Sequence, residues 1–303
     1  MKNKAALVFG GQGSQFTGMG KEIYDSSSKS KAIFALASEV VGYDVVKKCF
    51  EAPQDELNKT IYCQICTLAV ELAIYETFKD KNVEIYATAG FSLGEYAALA
   101  AANVFDTKTA FELVHARATA METEVKDNVG KMAAIINLNI DQIESICENI
   151  GNYEAIISNY NSYKQIVVSC TSAYFVELIE SIKNLGGRAI PLKVNRPFHH
   201  PIMRPAAEKF KCKLDAIYIN SPLFPVYMNV NGESLPSMDS IPRSLYEQIF
   251  KPVQWIKIVH NMMKDGISMF FEISPKSTLA PFVENIAHIN VSIVDVQTVL
   301  FDY

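Results

Sequence analysis

The stretch Thr88-Ala89-Gly90-Phe91-Ser92-Leu93-Gly94-Glu95 has the form G-x-S-x-G and lies between an apolar run and an alanine-rich run. Glycines on both sides of a serine permit a sharp turn from a strand into a helix, which pushes the serine hydroxyl out of the backbone. The pattern predicts a strand over Glu84–Gly90 and a helix over Leu93–Asn103. A glycine-bracketed turn with a capping serine is the alternative, but the strand-turn-helix context favours a nucleophilic serine.

The composition is that of a globular protein with a sizeable core. The chain has 303 residues, of which 49% are hydrophobic, and a net charge of −5. That charge and the lack of a basic run argue against nucleic-acid binding. We expect no signal peptide and no membrane span.

The six cysteines follow no disulfide pattern and predict reduced thiols in the cytoplasm. Cys63-x-x-Cys66 lies in an apolar helical context, without a second such pair or a nearby histidine pair. It therefore indicates buried thiols rather than a metal or redox site.

The middle of the chain has its own pattern of secondary structure. The order strand-helix-strand-strand-helix-strand is typical of the ferredoxin-like plan, in a unit of about 70 residues. The six segments are Lys131–Leu138, Ile140–Ile150, Tyr153–Asn159, Gln165–Cys170, Ala173–Leu185 and Arg188–Val194. We therefore predict an α/β protein in which residues 128–197 form a small inserted domain, while residues 1–127 and 198–303 form a large one.

A base is needed because a serine hydroxyl is a poor nucleophile until its proton is accepted. Of the five histidines, His199 and His200 lie in a loop bounded by Pro197 and Pro201, at the return from the insert. Such loops line clefts between domains, so either histidine is a candidate base. Packing within the loop is the alternative, and the other three histidines are predicted to be structural or on the surface.

Two further features near the serine are ambiguous. Arg117 lies within a predicted helix and either faces solvent, forms an ion pair, or projects into the cleft and binds a carboxylate with its planar fork. The loop Gly10–Gln15 (GGQGSQ) is not a phosphate-binding motif; it is either a plain turn or a backbone that places Gln12 beside a developing oxyanion.

Taken together, these motifs resemble the malonyl-CoA:acyl-carrier-protein transacylase family, which serves fatty-acid and polyketide synthesis. The resemblance spans essentially the whole chain, and the order and spacing of its motifs make it specific. The motifs are Gly11–Gln15, Gly90–Glu95, Arg117, Asn159–Ser162, Pro197–His199, Asn229-Val230, Pro252–Trp255 and Glu272–Pro275.

The resemblance implies a large α/β-hydrolase-like domain carrying a ferredoxin-like insert. It implies that Ser92 is the nucleophile and His199 its base, with the imidazole oriented by a main-chain carbonyl, here that of Gln254. Gln12 and the N–H of Leu93 would form the oxyanion hole.

Arg117 would bind the free carboxylate of a malonyl group. Asn161 and Phe198 would line the pocket, the latter as in malonyl-selective polyketide acyltransferases. Phe91 also lines it but departs from the family, which usually has histidine before the serine. This departure affects the acyl pocket and leaves the nucleophile in place.

The implied reaction is ping-pong transfer of malonyl from coenzyme A to the phosphopantetheine thiol of an acyl carrier protein, without a metal or other cofactor. A hydrolase of the same fold, which would remove acyl groups from carrier proteins, is the main alternative; a non-catalytic docking subunit and transfer of another acyl group are the others. The carrier would be acidic, and Arg188, Lys193, Arg196 and Lys209 are candidates for binding it by location alone.

Overall fold

The computed structural model describes residues 4–235, 237–287 and 291–301. Its strands within these residues are β1 (Lys4–Phe9), β2 (Ile85–Gly90), β3 (Gly130–Ile136), β4 (Ala155–Ser162), β5 (Gln165–Thr171), β6 (Arg188–Pro191), β7 (Val226–Tyr227), β8 (Ile267–Ile273) and β9 (Ser292–Asp295).

The helices in the same residues are α1 (Lys21–Ser26), α2 (Ser28–Val41), α3 (Val45–Glu51), α4 (Gln54–Leu57), α5 (Thr60–Phe78), α6 (Gly94–Ala101), α7 (Thr107–Thr123), α8 (Ile140–Ile150), α9 (Phe175–Asn184), α10 (Arg204–Leu214), α11 (Ile241–Gln248), α12 (Trp255–Lys264), α13 (Ala280–Ala287) and α14 (Val296–Phe301). Short 3₁₀ turns cover Lys79–Lys81, Pro201–Met203 and Met238–Ser240.

A parallel sheet forms the centre of the large domain. Within the described residues its strand order is β7-β2-β1-β8-β9, and each neighbouring pair is parallel. Helices cover both faces: Leu7 and Phe9 of β1 pack into one hydrophobic cluster, and Ala6 and Val8 pack into another. Burial on both faces explains why β1 is a continuous apolar run.

The turns after β1 and β2 meet at one edge because the carboxyl ends of parallel strands lie together. The N–H of Phe91 donates to the carbonyl of Phe9 at 2.9 Å. A Cβ atom on Gly94 would lie 2.4 Å from the carbonyl oxygen of Gly10, and one on Gly90 would lie 1.9 Å from the backbone of Gly94. These glycines are therefore required by close approach of the backbone.

A separate antiparallel sheet carries the insert. Its strand order among the described residues is β4-β5-β3-β6, which is the order of a ferredoxin-like unit. Both helices of the unit begin and end within two residues of the predicted limits. The predicted fold class is confirmed, whereas the domain boundaries at 128 and 197 stay a prediction.

Two expectations from the sequence differ from the structure. We expected no segment long and apolar enough to cross a membrane, but the helical segment over residues 60–81 is both. Of its most apolar part, 72% is buried inside the protein, as in the core helix of a folded protein. The run Phe224–Val230 (FPVYMNV) predicts a strand over its whole length, but the strand is shorter, at Val226–Tyr227. It ends early because the chain turns at Asn229 to contact the serine turn.

Candidate active site

Ser92 occupies the turn between β2 and α6. Its φ of 51° lies in the left-handed region, which a non-glycine residue adopts only when its surroundings hold it there. The Gly94 N–H closes the turn by donating to the carbonyl of Phe91 at 3.0 Å. The hydroxyl consequently stands at the sheet edge, where it reaches side chains from other parts of the chain.

His199 lies beside that hydroxyl. Its Nε2 is 2.8 Å from Ser92 Oγ, and its Nδ1 is 2.7 Å from the main-chain carbonyl of Gln248. Because a carbonyl only accepts, Nδ1 carries the proton and Nε2 of the neutral ring accepts from the serine. Burial, together with the nearby Arg117, lowers the pKa of His199 to about 4. The imidazole is therefore neutral at neutral pH and ready to take a proton.

The carbonyl that orients His199 belongs to Gln248, so the prediction of Gln254 is wrong. Gln254 is the N-cap residue immediately before α12, and its carbonyl accepts the N–H of Ile258 at 3.0 Å. Gln248 ends α11, and carbonyls in the last turn of a helix lack partners within that helix. A carbonyl without a partner inside its own helix is the one available to an imidazole.

None of the other histidines that the structure describes bonds to the hydroxyl of Ser92. The Nδ1 of His200 accepts the N–H of Ile202 at 3.2 Å and so caps a 3₁₀ turn. His260 bonds to the hydroxyl of Tyr163 on the surface at 2.7 Å. His288 lies outside the described residues. Between the two loop histidines, the geometry thus selects His199.

Arg117 is buried at 1% exposure on α7 and points at the serine. Its Nη2 lies 3.3 Å from Ser92 Oγ and 3.1 Å from Gln248 Oε1, and its Nη1 lies 2.7 Å from Gln64 Oε1. Two side-chain amide oxygens thus hold the guanidinium in a fixed orientation. The solvent-exposed alternative for this residue is excluded.

The charge of Arg117 has no partner of opposite sign within ion-pair distance in the described parts of the chain. Its Nε is also buried without a hydrogen-bond partner among those residues. Burial lowers the pKa of this guanidinium from its usual high value. Since an unpaired buried cation is unfavourable, the site is prepared for an anionic group that brings its own charge.

A cavity of about 570 Å³ connects these groups to solvent. The insert contributes Asn161 and Val167 to its wall, and the large domain contributes the serine turn. All three residues predicted to line the pocket do so, namely Phe91, Phe198 and Asn161.

The predicted oxyanion donors are placed consistently with their role, which stays a prediction. Gln12 lines the cavity beside Ser92. Leu93 follows the serine at the start of α6. Neither the Leu93 N–H nor the Gln12 side chain has a bonded acceptor within the part of the chain that the structure describes. Both donors are therefore available to a ligand oxygen.

Phe91 belongs to an aromatic cluster rather than to the polar site. Its ring meets that of Trp255 edge-on at 5.5 Å and that of Phe282 at 6.3 Å. The position where the family usually carries histidine is thus an apolar wall of the cavity, filled by packing instead of a hydrogen bond.

Of the basic residues considered for carrier binding, Arg196 is unavailable. It is buried and forms ion pairs with Glu122 at 3.2 Å and Asp127 at 2.8 Å. Lys193 is exposed and lines the cavity.

Cys63 and Cys66 are buried, and burial raises the pKa of the Cys63 thiol.

Sequence reasoning missed three amide side chains. Gln64 and Gln248 orient Arg117, and Asn229 accepts the N–H of Ser92. Nothing in the local pattern marks Gln64, since glutamine in an apolar helix has many uses. Asn229 belongs to a quoted motif, but its contact with the serine spans 137 residues of chain.

The chain matches the family described as acyl transferase domain over residues 6–299. The malonyl CoA-acyl carrier protein transacylase of Bacillus subtilis is 35% identical over 289 residues, covering 94% of this chain and 90% of that protein. The transacylase of the same name from Clostridium perfringens has a solved structure with a TM-score of 0.91 and 36% identity, covering 96% of this chain and 92% of that one.

A third relative is a malonyl-transacylase solved in complex with its type II polyketide synthase acyl-carrier protein. It aligns with a TM-score of 0.92 and 32% identity, covering 99% of this chain and all of the other. The matches span nearly full length in sequence and in structure, so the predicted resemblance is confirmed. This chain belongs to the acyl transferase domain family.

Proposed function

We propose that the chain is a malonyl-CoA:acyl-carrier-protein transacylase that works through an acyl-serine on Ser92. One observation carries the proposal: a neutral imidazole and an unpaired guanidinium both lie within 3.3 Å of a single serine hydroxyl. The first supplies a base for acyl transfer, and the second supplies a partner for a carboxylate on the acyl group. The names of the relatives support the same activity.

In the first half-reaction, His199 Nε2 takes the proton of Ser92 as Oγ forms a bond to the thioester carbon. The carbonyl oxygen gains negative charge, and Gln12 and the Leu93 N–H would donate to it. The carbon–sulfur bond then breaks, and the imidazolium returns its proton to the departing coenzyme A thiolate. The carbonyl of Gln248 holds the ring in the tautomer that both steps need.

Arg117 would bind the free carboxylate of the malonyl group. Its fork makes two parallel hydrogen bonds to a carboxylate, which a lysine cannot do. The bound carboxylate also neutralises a buried cation, so binding removes an unfavourable state of the free protein. An acetyl group has no carboxylate and gains neither effect.

In the second half-reaction, the phosphopantetheine thiol of an acyl carrier protein gives its proton to His199 and attacks the acyl-serine. The sulfur–carbon bond forms, the carbon–oxygen bond breaks, and Ser92 recovers its proton. Every step uses side chains and the two thiols, so the proposal involves no metal or redox cofactor. These substrates and the reduced cysteines fit the cytoplasm as the location.

The test is the intact mass of the protein after incubation with malonyl-CoA. We expect a malonyl adduct that is absent from Ser92→Ala and that disappears on addition of a phosphopantetheinylated carrier protein, with malonyl appearing on the carrier. An adduct that persists in Ser92→Ala would contradict the proposal. Release of malonate to water, with none on the carrier, would instead indicate the hydrolase, which the relatives do not support.

A further inference from the structure

The left-handed backbone of Ser92 needs an external support. Such a conformation costs about 1–3 kcal/mol in a non-glycine residue and persists only where the surroundings determine it. The helix after the serine begins at Gly94, and the strand before it ends at Gly90. The carbonyls of the turn accept N–H groups of the helix that follows, whereas the N–H groups of Phe91 and Ser92 find their acceptors in distant parts of the chain.

The side-chain amide of Asn229 bonds to two of these peptide groups. Its Oδ1 accepts the N–H of Ser92 at 2.7 Å, and its Nδ2 donates to the carbonyl of Gly90 at 2.6 Å. One planar group thus bridges the two residues that flank Phe91. Only an amide presents an acceptor and a donor with this geometry, because a carboxylate lacks the donor and an aliphatic chain lacks both.

Asn229 is itself held rigidly. It is fully buried. Its N–H donates to Glu95 Oε2 at 2.7 Å, and its carbonyl accepts the N–H of Gln254 at 2.9 Å. Glu95 lies one residue after Gly94 in the first turn of α6, so the contact closes a loop from the serine turn to Asn229 and back. Because both the N–H and the carbonyl of Asn229 are hydrogen-bonded, its side chain is fixed in place and can hold Ser92 in the left-handed conformation.

We propose that Asn229 is a positioning residue for the reaction. It holds the backbone of Ser92 so that Oγ faces His199 while the next N–H, that of Leu93, stays free for an oxyanion. This inference rests on the proposed function in taking Ser92 as the nucleophile. A displacement of about 1 Å in such a group costs about 100-fold in rate, and loss of one oxyanion donor costs a similar factor.

The decisive variant is Asn229→Asp, which keeps the shape and the acceptor but removes the donor. At about pH 8 the aspartate oxygen faces the Gly90 carbonyl, and we expect acylation of Ser92 about 100-fold slower than in the parent. At about pH 6 that carboxyl takes up a proton and regains a donor, so the ratio of variant to parent rate rises. Burial raises the pKa of Glu95, which accepts the Asn229 N–H, to about 8, so Glu95 also changes charge between the two pH values, and each variant is compared with the parent at the same pH. His199, whose pKa burial lowers to about 4, stays neutral over this range, and Arg117 is the nearby cation in both proteins.

Asn261→Asp is the matched control. Its Nδ2 donates to the carbonyl of Gly232 at 2.8 Å, in the loop that follows Asn229, and makes the same kind of bond without touching the serine turn. We expect its acylation rate to stay within about threefold of the parent at both pH values. Asn229→Ser gives a second variant, with an expected loss of at least about tenfold and no gain at low pH.

Rates are measured by single-turnover malonylation and by labelling of Ser92 with a fluorophosphonate, which reports serine reactivity without a malonyl group. Affinity for malonyl-CoA is measured in the Ser92→Ala background and should not change on adding Asn229→Asp. The inference is overturned if both Asn229 variants react at the parent rate, if the loss lies in affinity alone, or if Asn261→Asp shows an equal loss. A parent that takes the fluorophosphonate but not malonyl refutes the proposed function, and its labelling rates still decide the role of Asn229.

Discussion

Replacing Arg117 by alanine should change which acyl group the protein accepts. In the structure its guanidinium is buried, bonded to two amide oxygens and unpaired with any acid among the described residues. Gln64, Gln248 and Ser92 Oγ each take one of its five N–H donors, which leaves two, and one of these is the Nε–H without a partner. The arginine therefore retains enough donors to bind both oxygens of a carboxylate.

The size of the effect follows from those two bonds. A hydrogen bond to a charged group contributes about 1.5–3 kcal/mol, so two contribute about 3–6 kcal/mol. Each 1.36 kcal/mol is a factor of ten, and Arg117→Ala should reduce kcat/KM for malonyl-CoA by about 10²- to 10⁴-fold. Acetyl-CoA forms neither bond, so its rate should change by less than about tenfold, and the preference for malonyl should be lost.

The assay is competition between malonyl-CoA and acetyl-CoA for Ser92, followed by the masses of the two adducts. The ratio of adducts is an internal control, because partial unfolding or a displaced serine lowers both equally. Arg117→Lys keeps the charge without the fork and should retain an intermediate preference for malonyl. Equal losses of both adducts in Arg117→Ala, or an unchanged ratio, would refute a carboxylate-binding role for this residue.

Three other outcomes are expected. Burial lowers the pKa of His199 to about 4, so as the pH falls, kcat/KM for malonyl-CoA should decline near that value, where the imidazole takes up a proton. A decline centred near the ordinary pKa of 6.5 would contradict a buried neutral base. Gly90→Ala should lower the melting temperature by at least about 2 °C in a thermal-shift measurement, because the alanine Cβ would overlap the backbone of Gly94. An unchanged melting temperature would show that the turn can relax. Gln248→Leu should slow malonylation of Ser92 by at least about tenfold, whereas Gln254→Leu should not, because the side-chain amide of Gln248 bonds to Ser92 and Arg117. Equal malonylation rates in the two variants would show that the Gln248 side chain has no role in the site.

Local pattern was sufficient for most of the elements and for the turn that carries Ser92. The strand-turn-helix around Ser92 follows from small residues that permit a close approach, and the structure shows that a Cβ on Gly90 or Gly94 would meet backbone atoms. The ferredoxin-like insert follows from the order of six apolar segments, and its sheet has the matching strand order. These features depend on neighbours in sequence, which is why periodicity predicts them.

The sequence by itself therefore determined the fold class, the serine turn and, through family resemblance, the pairing of Ser92 with His199. Only the tertiary structure decided that Gln248 rather than Gln254 orients the imidazole, that Arg117 is buried without a counterion, and that Asn229 supports the turn. The physical reason is that a hydrogen bond depends on direction and distance between groups far apart in the chain, here 49 residues for His199 and Gln248 and 137 for Ser92 and Asn229. No local period records which distant carbonyl or amide the folded chain brings into reach.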